Sequence, residues 1–471
     1  MRRSRNETIW HPNDRHCDPR NRSDGKSRRL SDSGFVNSIA GPASSLCGSK
    51  GEEGVSPGGI TAWLVRDETV PVTAIEFSFK GGGAGHDKPG KEGTARLTAS
   101  TIDEGAGPYD SKTFQGKLSD QSITISFNAG QDAFSGSFYT LNRYRDEAVE
   151  LLSLALTEPR FDEEPVERVR SQILIGLKQA QTDPDAIAGK AMAETIFKDH
   201  PYGRPDEGTL TSVPKITVAD MKAYMADALT RDKLKIGVVG AITPEELGPM
   251  LDKIFGKLPK TGASDKVPAF NGKTPGGTVV IDMDVPQSTI AFAQPGLSID
   301  DPRYYTGMVM NYVLGGGSFS SVLTDEIRVK RGLAYSVYSY MASMDHAALL
   351  RGGAGTQNAR VGETIDLVKK VFADFKENGL DADKVADAKT YITGSFPLRF
   401  TNSSRIAGQL ESMQYFGFPI DYFETRNGLI EAVTLEDVNA LAKDLLDPDA
   451  LTFVVVGKPE NVKATLPTPG G

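Results

Sequence analysis

Residues 216–240, ITVADMKAYMADALTRDKLKIGVVG, align without a gap on residues 433–457, VTLEDVNALAKDLLDPDALTFVVVG. Both stretches open on Thr-x-x-Asp, run through an apolar helix face and an Asp-containing turn, and end in an aliphatic strand closing on Val-Gly. Two more pairs extend the repeat. NRYRDEAVELLSLAL (142–156) matches NARVGETIDLVKKVF (358–372), and Ile-Ala-Gly at 187–189 recurs at 406–408. Self-similarity on this scale marks a tandem duplication of a unit of about 215 residues, a length within the range of one domain. The chain is therefore expected to build two copies of one fold.

The periodicity inside a unit says which fold. SITISFNAG and AFSGSFYTL place Ile123, Ile125 and Phe127, then Phe134, Gly136 and Phe138, on single faces, the period of two expected of a hairpin closed by residues 128–132. In the helix that follows, Ala148, Leu151, Leu152 and Ala155 form the i, i+3, i+4, i+7 stripe of a helix covering a sheet. Thr217 with Asp220, and Thr434 with Asp437, read as capping boxes that start helices. Strand pairs followed by helices predict an α+β chain of two tandem α/β sandwich domains, each an antiparallel-rich sheet covered by helices. The boundaries expected are a disordered leader over 1–54, domains over 55–260 and 277–471, and a Pro/Gly/Lys-rich linker over 261–276.

Composition removes several function classes. A net charge of −9 spread along 471 residues gives no electrostatic footprint for nucleic acid. No apolar run is long enough for a membrane helix, so a soluble chain is expected. The compartment stays open: periplasmic if the true start carries a signal peptide, cytoplasmic otherwise. The two cysteines, Cys17 and Cys47, lie in the leader, where His11, His16 and Cys17 read as a chance cluster rather than a metal trio. His86, His200 and His346 stand alone, without a second ligand at helical spacing. The one G-x-S-x-G match, GVSPG at 54–58, lacks a preceding strand and has Pro after the Ser, where a nucleophile elbow must enter a helix.

The order of elements, with GITAWLVRDETVPVTAIEFSFKGGG, HPYGRPDEGTLTSVPKIT, NYVLGGGSFSSVLTDEIRVKRGLAYSVYSY and TFVVVG, resembles the insulinase-like zinc peptidases. These are the inverted zincins that include pitrilysin and the mitochondrial processing peptidases, and the bacterial two-subunit members are especially similar. The likeness extends over nearly all of 55–460, and implies that the two domains form half of a clamshell. Active members carry H-x-x-E-H on a helix, two His ligands for zinc and a Glu as general base. Here that register reads Arg96, Leu97, Thr98, Ala99, Ser100, and the stretch 171–181, where a third ligand is due, has no carboxylate. The resemblance therefore implies degenerate metal positions at Arg96, Ala99 and Ser100, and no metal or other cofactor in this chain.

Other features of the family persist. Arg328 and Tyr335 match the Arg and Tyr that the family's second half brings to the substrate backbone and the transition state. Gly315, Gly316, Gly317 and Ser318 resemble its glycine-rich loop at the substrate entrance, and no Gly-Lys-Ser/Thr follows to make a phosphate loop. The function expected is a zinc-less subunit of a heterodimeric peptidase. A sister chain would supply H-x-x-E-H and the zinc, and a peptide or unfolded protein would be the substrate. The alternative is a stand-alone peptide-binding or scaffold protein of the same fold.

Overall fold

A computed structural model describes residues 51–262 and 267–469. The first half runs β1 (Glu52–Val55), β2 (Thr61–Arg66), β3 (Val72–Lys80), α1 (Thr94–Thr101), α2 (Ser111–Asp120), β4 (Thr124–Ala129), β5 (Ala133–Leu141), α3 (Arg145–Thr157), α4 (Glu163–Ala180), α5 (Pro184–Ile196), α6 (Val218–Ala228), β6 (Leu234–Gly240) and α7 (Pro244–Phe255). The second runs β7 (Gly277–Asp282), β8 (Gln287–Pro295), α8 (Tyr304–Asn311), β9 (Ala334–Ser343), β10 (Ala348–Gln357), α9 (Val361–Asn378), α10 (Ala382–Gly394), α11 (Ser403–Tyr415), α12 (Tyr422–Glu431), α13 (Leu435–Leu445) and β11 (Thr452–Gly457).

Two sheets result, ordered β1-β2-β6-β3-β5-β4 and β7-β11-β8-β10-β9. Apart from β1 they share one plan, with a single parallel pair in each, β2 with β6 and β7 with β11. The predicted hairpin is β4–β5, and β5 alternates along its whole length, turning Phe134, Gly136, Phe138 and Thr140 inward. At Gly136 an added Cβ would run into the Phe77 ring, which accounts for the glycine. On the inner side of the first sheet, Phe77, Phe79, Phe134 and Phe138 meet Leu151, Leu152 and Phe255 from α3 and α7. The second sheet repeats this with Phe292 and Phe453 against Phe372 of α9. Both predicted capping boxes are present, at Thr217 and at Thr434.

The other face of each sheet is covered by a helix from the opposite half. Ile406, Ala407, Leu410 and Met413 of α11 pack on Trp63, Val65 and Val239 of the first sheet. Ala188, Ala191 and Met192 of α5 pack on Val279, Ala293, Val454 and Val456 of the second. The repeated Ile-Ala-Gly lies in these two exchanged helices. A division at 260 and 277 is thus a division of sequence, because each domain's second layer belongs to the other half.

Two boundary expectations change. Glu52–Val55 is a strand pairing Glu52 with Leu64 through Val55 with Thr61, so the first domain begins before residue 55; residues 1–50, with the histidine–cysteine trio, lie outside the described residues. Residues 263–266 of the linker also lie outside them, but Val267 and Phe270 pack with Phe197 and Tyr202, so its second part is a built piece of the interface. Two of the three histidines without a second ligand, His200 and His346, make hydrogen bonds at this interface. His200 donates from Nε2 to the Pro268 carbonyl at 2.6 Å and accepts the Tyr202 amide at Nδ1 at 3.1 Å. The Tyr202 hydroxyl takes the His346 amide at 3.1 Å and donates to Asp132, whose Oδ2 accepts the Asp345 amide at 3.2 Å. These bonds fix the β9–β10 turn of the second half against the β4–β5 turn of the first.

Candidate functional site

Helix α1, where the zinc-binding motif would stand, is well formed. Gly93 precedes it at φ 92°, in the left-handed region that suits glycine. Buried Asp87 caps it, its carboxylate accepting the Gly93 amide at 2.8 Å and the Ala95 amide at 3.1 Å. Burial raises the Asp87 carboxyl to about 7 against the lowering pull of those amides and of Arg204.

Along the helix the three positions expected to be degenerate metal positions part company. Arg96 is half-exposed and donates from Nη1 to Asn128 Oδ1 of edge strand β4 at 2.8 Å. Ser100 is half-buried, and Ala99 is 2% exposed, packed into the first core with Ala95 and Ile102. None of these side chains is a zinc ligand at neutral pH. The carboxylates of α4 are in its first turns, where Glu167 pairs with Arg170 at 3.0 Å. The residues do not fit zinc, and among the described residues no cluster of three His, Cys, Asp or Glu could hold a metal.

The second half carries the other candidates. After α8 the chain winds wider, with the Gly317 amide reaching back to the Tyr312 carbonyl at 2.8 Å, and again at Lys330 to Asp325 at 2.9 Å. Such five-residue turns recur at functional sites. The glycines between are closely packed. A Cβ on Gly315 would strike the Ser339 side chain, and one on Gly317 would come within 2.8 Å of the Tyr312 carbonyl oxygen. Ser318 follows at φ 52° and turns the next residue, Phe319, out of the protein at 64% exposure.

Phe319 is the residue that sequence reasoning missed. The Arg328 guanidinium lies over its ring at 4.6 Å and over the Tyr335 ring at 5.1 Å. The expected turn between Arg328 and Tyr335 is present: Gly332, at φ 59°, returns its amide to the Arg328 carbonyl at 3.0 Å, and Leu333 bonds to Ile327 at 2.9 Å. A bulge does the rest. Thr356 of β10 faces Ala334 while Gly355 faces Ser336, so Tyr335 has no cross-strand partner and projects at 71% exposure. The one legible sign of Phe319 was a lone aromatic in a loop of Gly and Ser; a bulge at Tyr335 has no sequence signature here.

The serine hit resolves structurally. A strand does precede Ser56, contrary to expectation, but the chain returns into β2 and no helix follows. Ser56 donates to Asp252 Oδ1 at 2.5 Å and accepts the Ile60 amide at 2.9 Å, so it ties a turn to α7.

Residues 215–392 match the family described as the peptidase M16 inactive domain. A Helicobacter pylori protein called non-peptidase homolog YmxG is 28% identical over 84% of this chain and 92% of its own. The chain is thus similar to M16 proteins along most of its length, and matches the inactive-domain model over 215–392. A second relative, from Bacillus subtilis and called an uncharacterized zinc protease YmxG, is 25% identical over 83% of this chain and 94% of its own. The crystal structure of a peptidase M16 inactive domain from Pseudomonas fluorescens superposes with a TM-score of 0.82 at 26% identity, covering 89% of this chain and 99% of that one. The α+β two-domain fold and the insulinase-like resemblance expected from the sequence agree with these similarities.

Proposed function

We propose that this chain is the zinc-less subunit of a heterodimeric peptidase and lends Arg328 and Tyr335 to a sister chain that carries H-x-x-E-H. One observation carries the reading: the helix at 94–101 carries no zinc ligand at the motif positions, while the half-buried Arg328 lies over the ring of the exposed Tyr335. As a peptide carbonyl is attacked, negative charge develops on its oxygen, and preorganised donors lower that barrier. The Tyr335 hydroxyl and Arg328 guanidinium are such donors. Gly315, Gly316, Gly317 and Ser318 shape the approach to them, and the substrate is a peptide or an unfolded protein.

The test is co-expression with a sister chain, followed by light scattering on the purified pair and steady-state kinetics. A stable pair is expected, with an interface on the order of 2,000 Å². Tyr335→Phe or Arg328→Ala is expected to leave the pair assembled and to lower its kcat by ~10²- to 10³-fold. Tyr338→Phe and Lys330→Ala serve as controls. Variants that match these controls would make the chain a lid without chemistry, and two independent monomers at micromolar concentration would favour a stand-alone binding protein.

A further inference from the structure

Stacking engages the faces of a guanidinium and leaves its edge, with five N–H donors, free in the plane. The Arg328 guanidinium lies over the Phe319 ring at 4.6 Å and over the Tyr335 ring at 5.1 Å, and among the described residues its donors have no ion pair or hydrogen bond. The neighbouring charges are all paired: Lys330 with Asp325 at 2.9 Å and Glu326 at 2.6 Å, and Arg331 with Glu326 at 2.6 Å. The local sum is thus a single positive charge beside two exposed rings.

We propose that Phe319, Arg328 and Tyr335 form a clamp for an acidic side chain that stands beside an apolar residue in an extended peptide. The carboxylate takes two parallel N–H bonds from the Arg328 edge, and the apolar neighbour lies on the outer face of Phe319. Phe319 is then a positioning residue, because its ring fixes the plane of the fork. This rests on the reading that the site meets peptide and adds which peptide. One free cation beside Asp325 and Glu326, on a chain of net charge −9, is ill suited to a polyanionic surface such as a lipid bilayer.

The test uses the full chain and two dye-labelled, end-blocked ten-residue peptides that differ only in a central Leu-Glu or Leu-Gln, read by fluorescence anisotropy. The Glu peptide is expected to bind about tenfold more tightly. Arg328→Gln is expected to erase that ratio. Arg328→Lys is expected to lose most of it although the charge remains, because an ammonium cannot form the fork. Phe319→Ala is expected to bring it below about threefold. Phe319 and Arg328 lie at the surface, so unchanged thermal melting checks that each variant is folded. Equal binding of both peptides by the wild type overturns the clamp and leaves the peptide-site reading standing. Binding of neither overturns both. An undiminished ratio in Phe319→Ala removes Phe319 from the site, and saturable binding to phosphatidylglycerol vesicles that the Glu peptide displaces would replace the acidic peptide with a membrane.

Discussion

The two halves place the same Ile-Ala-Gly helix on the same kind of sheet at different depths. Gly237 of β6 and Val454 of β11 occupy matching positions in the repeat. In the first half the backbone of α11 comes down onto the strand: a Cβ on Gly237 would overlap the Ala407 carbonyl oxygen and lie 2.7 Å from the Glu411 amide. In the second half Val454 is fully buried, and α5 meets it through Ala188 and its neighbours. The strand register extends the contrast. Gly237 faces Glu76 on β3, whereas Val454 faces Ala291 on β8. One pattern therefore sets both scaffolds, and single residues set how closely the exchanged helix approaches and whether an ionisable carboxyl is buried beneath it.

Making the halves alike at this point should break the first. Gly237→Val drives a branched side chain into backbone that has no rotamer to yield, and is expected to cost more than about 4 kcal/mol in urea unfolding or to leave no soluble protein. Val454→Gly in the second half removes a buried side chain and loosens a strand, at about 2 to 4 kcal/mol. If Gly237→Val unfolds like the wild type, the close approach of α11 is not what fixes that glycine.

The next effect concerns α1 of the first half, where a degenerate zinc motif is expected from the sequence. Restoring the motif as Arg96→His, Ala99→Glu and Ser100→His is expected to yield well under one equivalent of zinc by elemental analysis. The third carboxylate is absent from 171–181, and a Glu at position 99 would enter the core. That buried carboxyl should also lower stability by roughly 2 to 4 kcal/mol. One zinc per chain surviving dialysis would sink this account.

How far the sequence revealed this molecule follows the same division. Patterns of period two and 3.6 are properties of neighbouring residues, so the β4–β5 hairpin, the α3 stripe and both capping boxes could be read directly. The gap in the metal motif was equally local. Exchange of α5 and α11 was hidden because an Ile-Ala-Gly helix states that it is apolar on one face but not which sheet it covers. The surface site was half legible. Arg328 and Tyr335 come from a recognisable stretch, while Phe319 joins them only through the positive φ of Ser318 and the bulge at Tyr335.

The carboxyl beneath α11 gives a smaller, pH-dependent difference between the halves. Burial, with Glu411 close by, raises Glu76 from 4.5 to about 8, and Glu411 is raised too, chiefly by burial. Below about pH 4.5 Glu76 is protonated whether folded or unfolded and contributes no pH dependence. Between 4.5 and 8 the unfolded chain ionises while the folded state resists, so stability is lost as pH rises through that window. Glu76→Gln is expected to flatten the fall in Tm over that range and to raise Tm at pH 8. The second half, with Ala291 at the matching site, offers no such group, so an undiminished fall in the variant would place its source elsewhere.

The smallest expected difference is between two caps that look the same. At both, the Thr hydroxyl accepts the amide three residues on, and the Asp carboxylate accepts the Thr amide, at 2.8 Å in Thr217 and 3.0 Å in Thr434. Removing such a hydroxyl costs about 1 kcal/mol. The caps differ in what else holds the carboxylate. Asp220 also takes Lys91 at 2.7 Å, which with the Thr217 bonds lowers its carboxyl to about 2, whereas Asp437 has no ion pair among the described residues. After Thr217→Ala, Lys91 keeps Asp220 in place over the helix start and its backbone bond survives. After Thr434→Ala nothing anchors Asp437, and both halves of the box loosen. Thr434→Ala is therefore expected to cost the full ~1 kcal/mol and Thr217→Ala about half of it, measured as paired urea midpoints at pH 7. Adding Lys91→Ala to Thr217→Ala should bring the first cap level with the second, and a double variant no less stable than Thr217→Ala alone would show that Lys91 does not support the cap.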